Sequence, residues 1–113
     1  AVAGGLPPGP CRGVPFVIKD LGIEAKDFPS HNGSRLLANT VYPGDSSIFQ
    51  RIKATGVVTF GRTTSPEGGI GAATEAAVYG GPTRNPWHLD HTSGGSSGGA
   101  GAAVAAGIVP MAH

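Results

Sequence analysis

The sequence predicts an α/β fold, and three observations predict it. A short apolar run, Gly13-Val14-Pro15-Phe16-Val17-Ile18, reads as a strand. An amphipathic segment, Asp45 to Thr55, leads closely into a second apolar run, Val57-Val58-Thr59-Phe60, which is half of an α/β unit. A small-residue run, Gly98 to Gly107, reads as a further helix.

Each element has a local reason. Residues 1–12 are rich in Gly and Pro and are expected to be extended or loop. The first strand is bounded by Gly13 and ends at Lys19-Asp20, and Pro15 puts a break in its pairing near the start. Residues 22–44 have weak periodicity and several turn formers, Phe28-Pro29-Ser30, Asn32-Gly33 and Pro43-Gly44. They predict a long irregular connection with one helical turn near Ser34 to Ala38. In the next helix, Asp45 or Ser46 can cap the free N–H groups. Ile48, Phe49 and Ile52 form an apolar stripe, and Gln50, Arg51 and Lys53 take the wet face. Gly56 is placed to end this helix in the left-handed conformation. Val57 to Phe60 then predicts a buried strand ending at Gly61. Pro66-Glu67-Gly68-Gly69 and Gly80 to Trp87 predict two turns. The thin face of the Gly98–Gly107 helix predicts close packing on a sheet or another helix.

Composition bounds the function. Gly 20 and Pro 10 in 113 residues point to many tight turns, while a hydrophobic fraction of 39% in ordered runs argues for a globular chain. Net charge is +1 and 13% of residues are charged, without a basic stripe, so no nucleic-acid partner is expected. The single cysteine, Cys11, excludes an internal disulfide and lacks the neighbours that would make it a nucleophile. No run reaches the roughly 18 apolar residues of a membrane span, and the start lacks the pattern of a signal peptide. No membrane partner is expected, and a cytoplasmic location is. The terminal run Ile108 to His113 is apolar and lacks a polar tail, which predicts that the chain is a piece of a larger core.

Two places could carry chemistry. Ser93-Gly94-Gly95-Ser96-Ser97-Gly98-Gly99 has three readings. It could be a flexible linker, but a compact helix follows at once. It could be a phosphate loop, but the closing Lys and Ser/Thr of a Walker motif are absent. It could be a hydroxyl-bearing turn at a helix N-terminus, where positive potential favours a developing anion. The second place is Lys19, at the end of an apolar strand. Most lysines are solvated surface charges. One held at a buried strand end loses some of its affinity for a proton and becomes a usable base. Asp20 beside it either keeps it charged or points elsewhere. His88 and His91 form a thin metal pair with no third ligand, and His31 and His113 stand alone, so no metal is expected.

Taken together, these segments resemble the amidase signature family. The matching pieces are Gly13 to Asp20, Gly56 to Thr63, Gly81-Pro82-Thr83-Arg84-Asn85-Pro86-Trp87, and Gly94-Gly95-Ser96-Ser97-Gly98-Gly99 with its Ala-rich helix. The likeness runs from about residue 13 to 113, and it is the order of the motifs that makes it specific. The resemblance implies part of a mixed, twisted sheet flanked by helices, with residues 13–113 a partial domain cut before the nucleophile. It implies an amide hydrolase with a Ser–Ser–Lys triad. Lys19 falls on the terminal base. Ser96 falls on the bridging serine, which follows a cis peptide bond in the family. Ser97 falls on a neighbour that helps hold the lysine, and Gly94 and Gly95 free the turn. The nucleophilic serine and the oxyanion hole belong to a Gly-rich segment beyond His113.

The implied substrate is a small-molecule amide, without a cofactor. The implied partner is the remainder of the enzyme or a second chain, since a minority of a sheet leaves strand edges unpaired. Two other functions stay open: the amidase subunit of a transfer-RNA-dependent amidotransferase, and a non-catalytic fragment.

Overall fold

The computed structural model describes residues 3–113. The first two residues of the expected N-terminal segment lie outside the described residues. The rest of that segment has no regular element, and it docks on the end of a helix through Cys11 N–H to Thr55 O at 2.7 Å and Gly13 N–H to Gly56 O at 2.9 Å.

The fold is α/β. Strand β1 (Pro15–Lys19) pairs in parallel with β2 (Val58–Thr63), and helix α1 (Ser47–Ala54) makes the crossover between them. Two short antiparallel ribbons follow, β3 (Glu75–Ala76) with β4 (Gly81–Pro82) and β5 (Arg84–Asn85) with β6 (His88–Thr92). Helix α2 (Gly98–Ala105) comes last. No helix among the described residues is long and apolar enough to cross a membrane.

The alternation of β1 organises the core. Successive strand residues point to opposite faces. Phe16 and Ile18 join Ile23, Ala25, Phe49 and Val57 in the larger buried cluster, which α1 covers. Phe28 and Phe49 meet there edge to face, with ring centroids 6.0 Å apart. Val17 faces the other way, against Ala103 of α2 and Val109. Lys19 follows Val17 on that second face, and Asp20 follows Ile18 on the first.

Several expectations hold and several need correction. The irregular connection has its single helical turn at Arg35–Leu37, capped by Ser34. Of the two candidate caps of α1, Ser46 is the one used, accepting from Phe49 N–H. Asp45 instead accepts from Lys26 N–H and pairs with Lys53. Gly56 closes the helix at φ 88°. Phe49 is buried but Ile48 is 52% exposed, so the predicted stripe is narrower than three residues. Ile48 faces solvent because only one side of α1 meets the sheet.

Strand β2 runs past Gly61 to Thr63 and carries a bulge that the apolar pattern does not predict. Phe16 pairs with Thr59 and Val17 with Gly61, so Phe60 has no ladder partner. The extra residue turns outward, and Phe60 is 54% exposed rather than buried. The region expected to be a plain turn, residues 80–87, contributes β4 and β5, strands of two residues each that are too short for periodicity to reveal.

Candidate active site

The site lies where the end of β1 meets the start of α2. Lys19 is 8% exposed. Its Nζ donates to Ser96 Oγ at 2.6 Å, across 77 residues of sequence. Burial holds the Lys19 amine below its ordinary value of 10.5, because the charged form gives up water. Ser96 follows a cis peptide bond, Gly95–Ser96.

The Gly-rich turn is fixed at both ends, which excludes a flexible linker. Thr74, buried in the middle, donates its hydroxyl to Gly94 O at 2.8 Å and accepts Gly98 N–H at 3.0 Å. Ser93 Oγ donates to Thr83 O at 3.0 Å, and Gly94 N–H to Thr92 Oγ at 3.1 Å. Gly94 sits at φ 80°, where only glycine is comfortable. A side chain on Gly95 would approach Ala72 C to 3.0 Å. Thr74 had no distinguishing signal in the sequence. Its role depends on contacts made 20 and 24 residues away.

Helix α2 packs as its small residues suggest. A methyl group on Gly98 would collide with Thr74 and Ser93, and one on Gly99 would stand 2.5 Å from Thr64 N. The first free N–H of the helix is taken by Thr74 from outside, so Ser97 occupies the N-cap position without using its side chain as a cap. Ser97 is exposed, and among the described residues its hydroxyl has no hydrogen bond to Lys19.

Asp20 points away from Lys19, which the sequence left undecided. Its carboxylate accepts from Ser30 Oγ at 2.5 Å, Tyr79 Oη at 2.5 Å, and His31 N–H at 3.1 and 3.0 Å to its two oxygens. The Arg62 guanidinium stands 3.7 Å away. Burial first, then the bond to Asp20, pushes the Tyr79 phenol up to about 12, so it remains a donor. Arg62 also donates to the carbonyls of Lys19 at 3.2 Å, Ile23 at 2.9 Å and Phe28 at 2.9 Å. The desolvation that lowers Arg62 is opposed by the charge of Asp20. None of Ser30, Arg62 and Tyr79 stood out in the sequence.

The remaining candidates stay outside this cluster. His88 and His91 stack edge to face with centroids 4.3 Å apart on the exposed strand β6. No group of three or more metal-ligating side chains occurs among the described residues. His113 returns to β1, where its N–H donates to Val17 O at 3.1 Å. Burial and the Lys19 amine both hold its imidazole below the usual value. Cys11 is half-buried against the larger core.

A family model described as Amidase matches residues 1–113. The chain belongs to the amidase signature family. It is 44% identical over 109 residues to a glutamyl-tRNA(Gln) amidotransferase subunit from Salinispora arenicola, covering 96% of this chain and 22% of that protein. It is 45% identical over 106 residues to the corresponding subunit from Sulfurisphaera tokodaii, covering 94% and 22%. Among solved structures it superimposes on a bacterial aryl acylamidase of the amidase signature family with a TM-score of 0.85 and 39% identity, covering 94% of this chain and 22% of that one. This amidase signature chain therefore spans about a fifth of the length of the relatives it matches.

Proposed function

We propose that Lys19 and Ser96 are two members of a Ser–Ser–Lys triad that hydrolyses carbon–nitrogen amide bonds. The observation that supports this reading is the 2.6 Å hydrogen bond between a buried amine and a hydroxyl held at a rigid glycine turn. A protonated lysine has three donors and no acceptor. Desolvation lowers the cost of losing one proton, and the lone pair so exposed can accept from Ser96. Ser96 then takes a proton from an attacking serine, and that serine adds to the amide carbonyl. The proton returns to the leaving amine, and water cleaves the acyl-enzyme. In this reading the attacking serine and its oxyanion hole belong to the part of the fold outside these residues, and the 113-residue chain by itself does not turn over amides. Ser97 is assigned a supporting place in the turn, with Gly94 and Gly95. The substrate is a small-molecule amide and the protein works in the cytoplasm.

The test is Lys19→Ala in the complete enzyme. Loss of a general base lowers kcat/KM by about 10²- to 10⁴-fold. Turnover within a few-fold of the unaltered enzyme would sink the assignment.

A second reading is the amidase subunit of a transfer-RNA-dependent amidotransferase. It is favoured by relatives of more than 40% identity that carry an amidotransferase name, the two described above among them. It predicts ammonia-dependent amidation of a charged transfer RNA only when partner subunits are supplied. Plain amide hydrolysis by the complete protein without partners favours the first.

A further inference from the structure

Asp20 is the most heavily bonded side chain in the described structure, and the triad makes no use of it. It is 1% exposed. Its partners come from three separate parts of the chain: Ser30 and His31 in the irregular connection and Tyr79 before β4 donate to it, and the Arg62 guanidinium on β2 stands beside it as an ion pair at 3.7 Å. Its backbone is held as well, with Asp20 N–H donating to Thr63 O at 3.0 Å and Ser65 Oγ donating to Asp20 O at 3.1 Å. Arg62 grips the carbonyl between it and Lys19. The peptide unit joining the two residues therefore has little freedom. By contrast Lys19 reaches Ser96 on a long, flexible stem, and the helix it faces carries no charged residue.

We propose that Asp20 is a positioning residue for Lys19: by gripping Ser30, His31, Tyr79 and Arg62 on one face of β1, it sets the strand end so that the amine is delivered to Ser96 on the other. Strand alternation is the transmission. With Asp20 anchored inward on the α1 side, the preceding residue has to project on the α2 side, where the glycine turn stands. The network also keeps the carboxylate occupied by other donors. A base at position 19 thus avoids a counter-ion that would hold it in its charged form. This inference rests on the reading of Lys19 as the base.

The experiment uses the complete enzyme and a simple anilide that it turns over. Asp20→Asn keeps the shape and removes the charge. We expect kcat, normalised to folded protein, to fall by about 10- to 100-fold, the effect of a displacement on the order of 1 Å at a reacting group, with KM little changed. Tyr79→Phe removes one donor and no charge, and shows a smaller loss with the same split between kcat and KM. Combined with Lys19→Ala, Asp20→Asn costs no further activity, because it acts through that amine. If Asp20→Asn does not accumulate as folded protein, Tyr79→Phe decides alone. A loss carried by KM, or by the folded fraction with kcat unaltered, overturns the proposal, as does additivity with Lys19→Ala. Full activity of Lys19→Ala by itself would instead overturn the triad reading beneath it.

Discussion

The two faces of β1 treat a buried charge in opposite ways. On the α1 side, Asp20 has hydroxyl, amide and guanidinium partners around its carboxylate. On the α2 side, Lys19 has one hydroxyl at 2.6 Å. Both side chains are buried and adjacent in sequence. The difference teaches that burial alone does not define a site. A charge whose bonds are all met holds the fold together, whereas one left with a single partner is free to exchange its proton.

The sharpest way to break the comparison is to remove each charge and measure stability of the complete protein by denaturant unfolding. Asp20→Ala removes the counter-charge beside Arg62 and the acceptor to which the Tyr79 and Ser30 hydroxyls donate. It should cost about 3–5 kcal/mol, the usual penalty for breaking a buried pair. A cost under about 1 kcal/mol would mean that water replaces the carboxylate freely.

Next comes the contact that brings α2 to Lys19's face. Gly99→Ala pushes a methyl group onto the Thr64 backbone, which cannot rotate aside. It should destabilise by about 1–3 kcal/mol, like other overpacked sites.

Lys19→Met keeps the stem and removes the amine, and its effect depends on pH. The folded state holds Lys19 below 10.5, so between the folded value and 10.5 the unfolded chain binds more protons and stability rises with pH. Below the folded value the penalty is complete; above 10.5 it is absent. Met should therefore stabilise the protein most below the folded-state value of Lys19, with the advantage shrinking as pH rises and vanishing above 10.5. Urea midpoints across that range check it, and a pH-independent difference would count against a desolvated amine.

The smallest effect is Gly101→Ala. Nothing lies within 4 Å of the position where its methyl group would sit. The helix should gain about 0.5–1 kcal/mol. Paired with Gly99→Ala, it separates the packed face of α2 from its wet one.

Much of this was legible in the residues. β1, α1 with a cap at Asp45 or Ser46 and its Gly56 stop, and the Gly/Ala helix all follow from local pattern. Lys19 and Ser96 were legible because a lysine ending an apolar strand and a doubled serine among glycines are unusual. The bulge at Phe60 was not, because it is a mismatch between two strands and has no signature in either one. The two-residue strands β3, β4 and β5 were hidden for a similar reason. They are held by their partners and not by propensity, as the two-residue runs Glu75–Ala76 and Arg84–Asn85 illustrate. Thr74, Arg62 and Tyr79 are ordinary residues whose importance comes from whom they meet.

Local chemistry by itself determined where β1, α1 and the Gly/Ala helix lie, and singled out Lys19 and the paired serines as candidates, since caps, glycine and apolar periodicity act within a few residues. Only the tertiary structure decided that Asp20 turns to Ser30 and Tyr79 and leaves Lys19 to Ser96. That choice rests on hydrogen bonds spanning 10, 59 and 77 residues, and directional bonds of that reach form only once the sheet and α2 have come together.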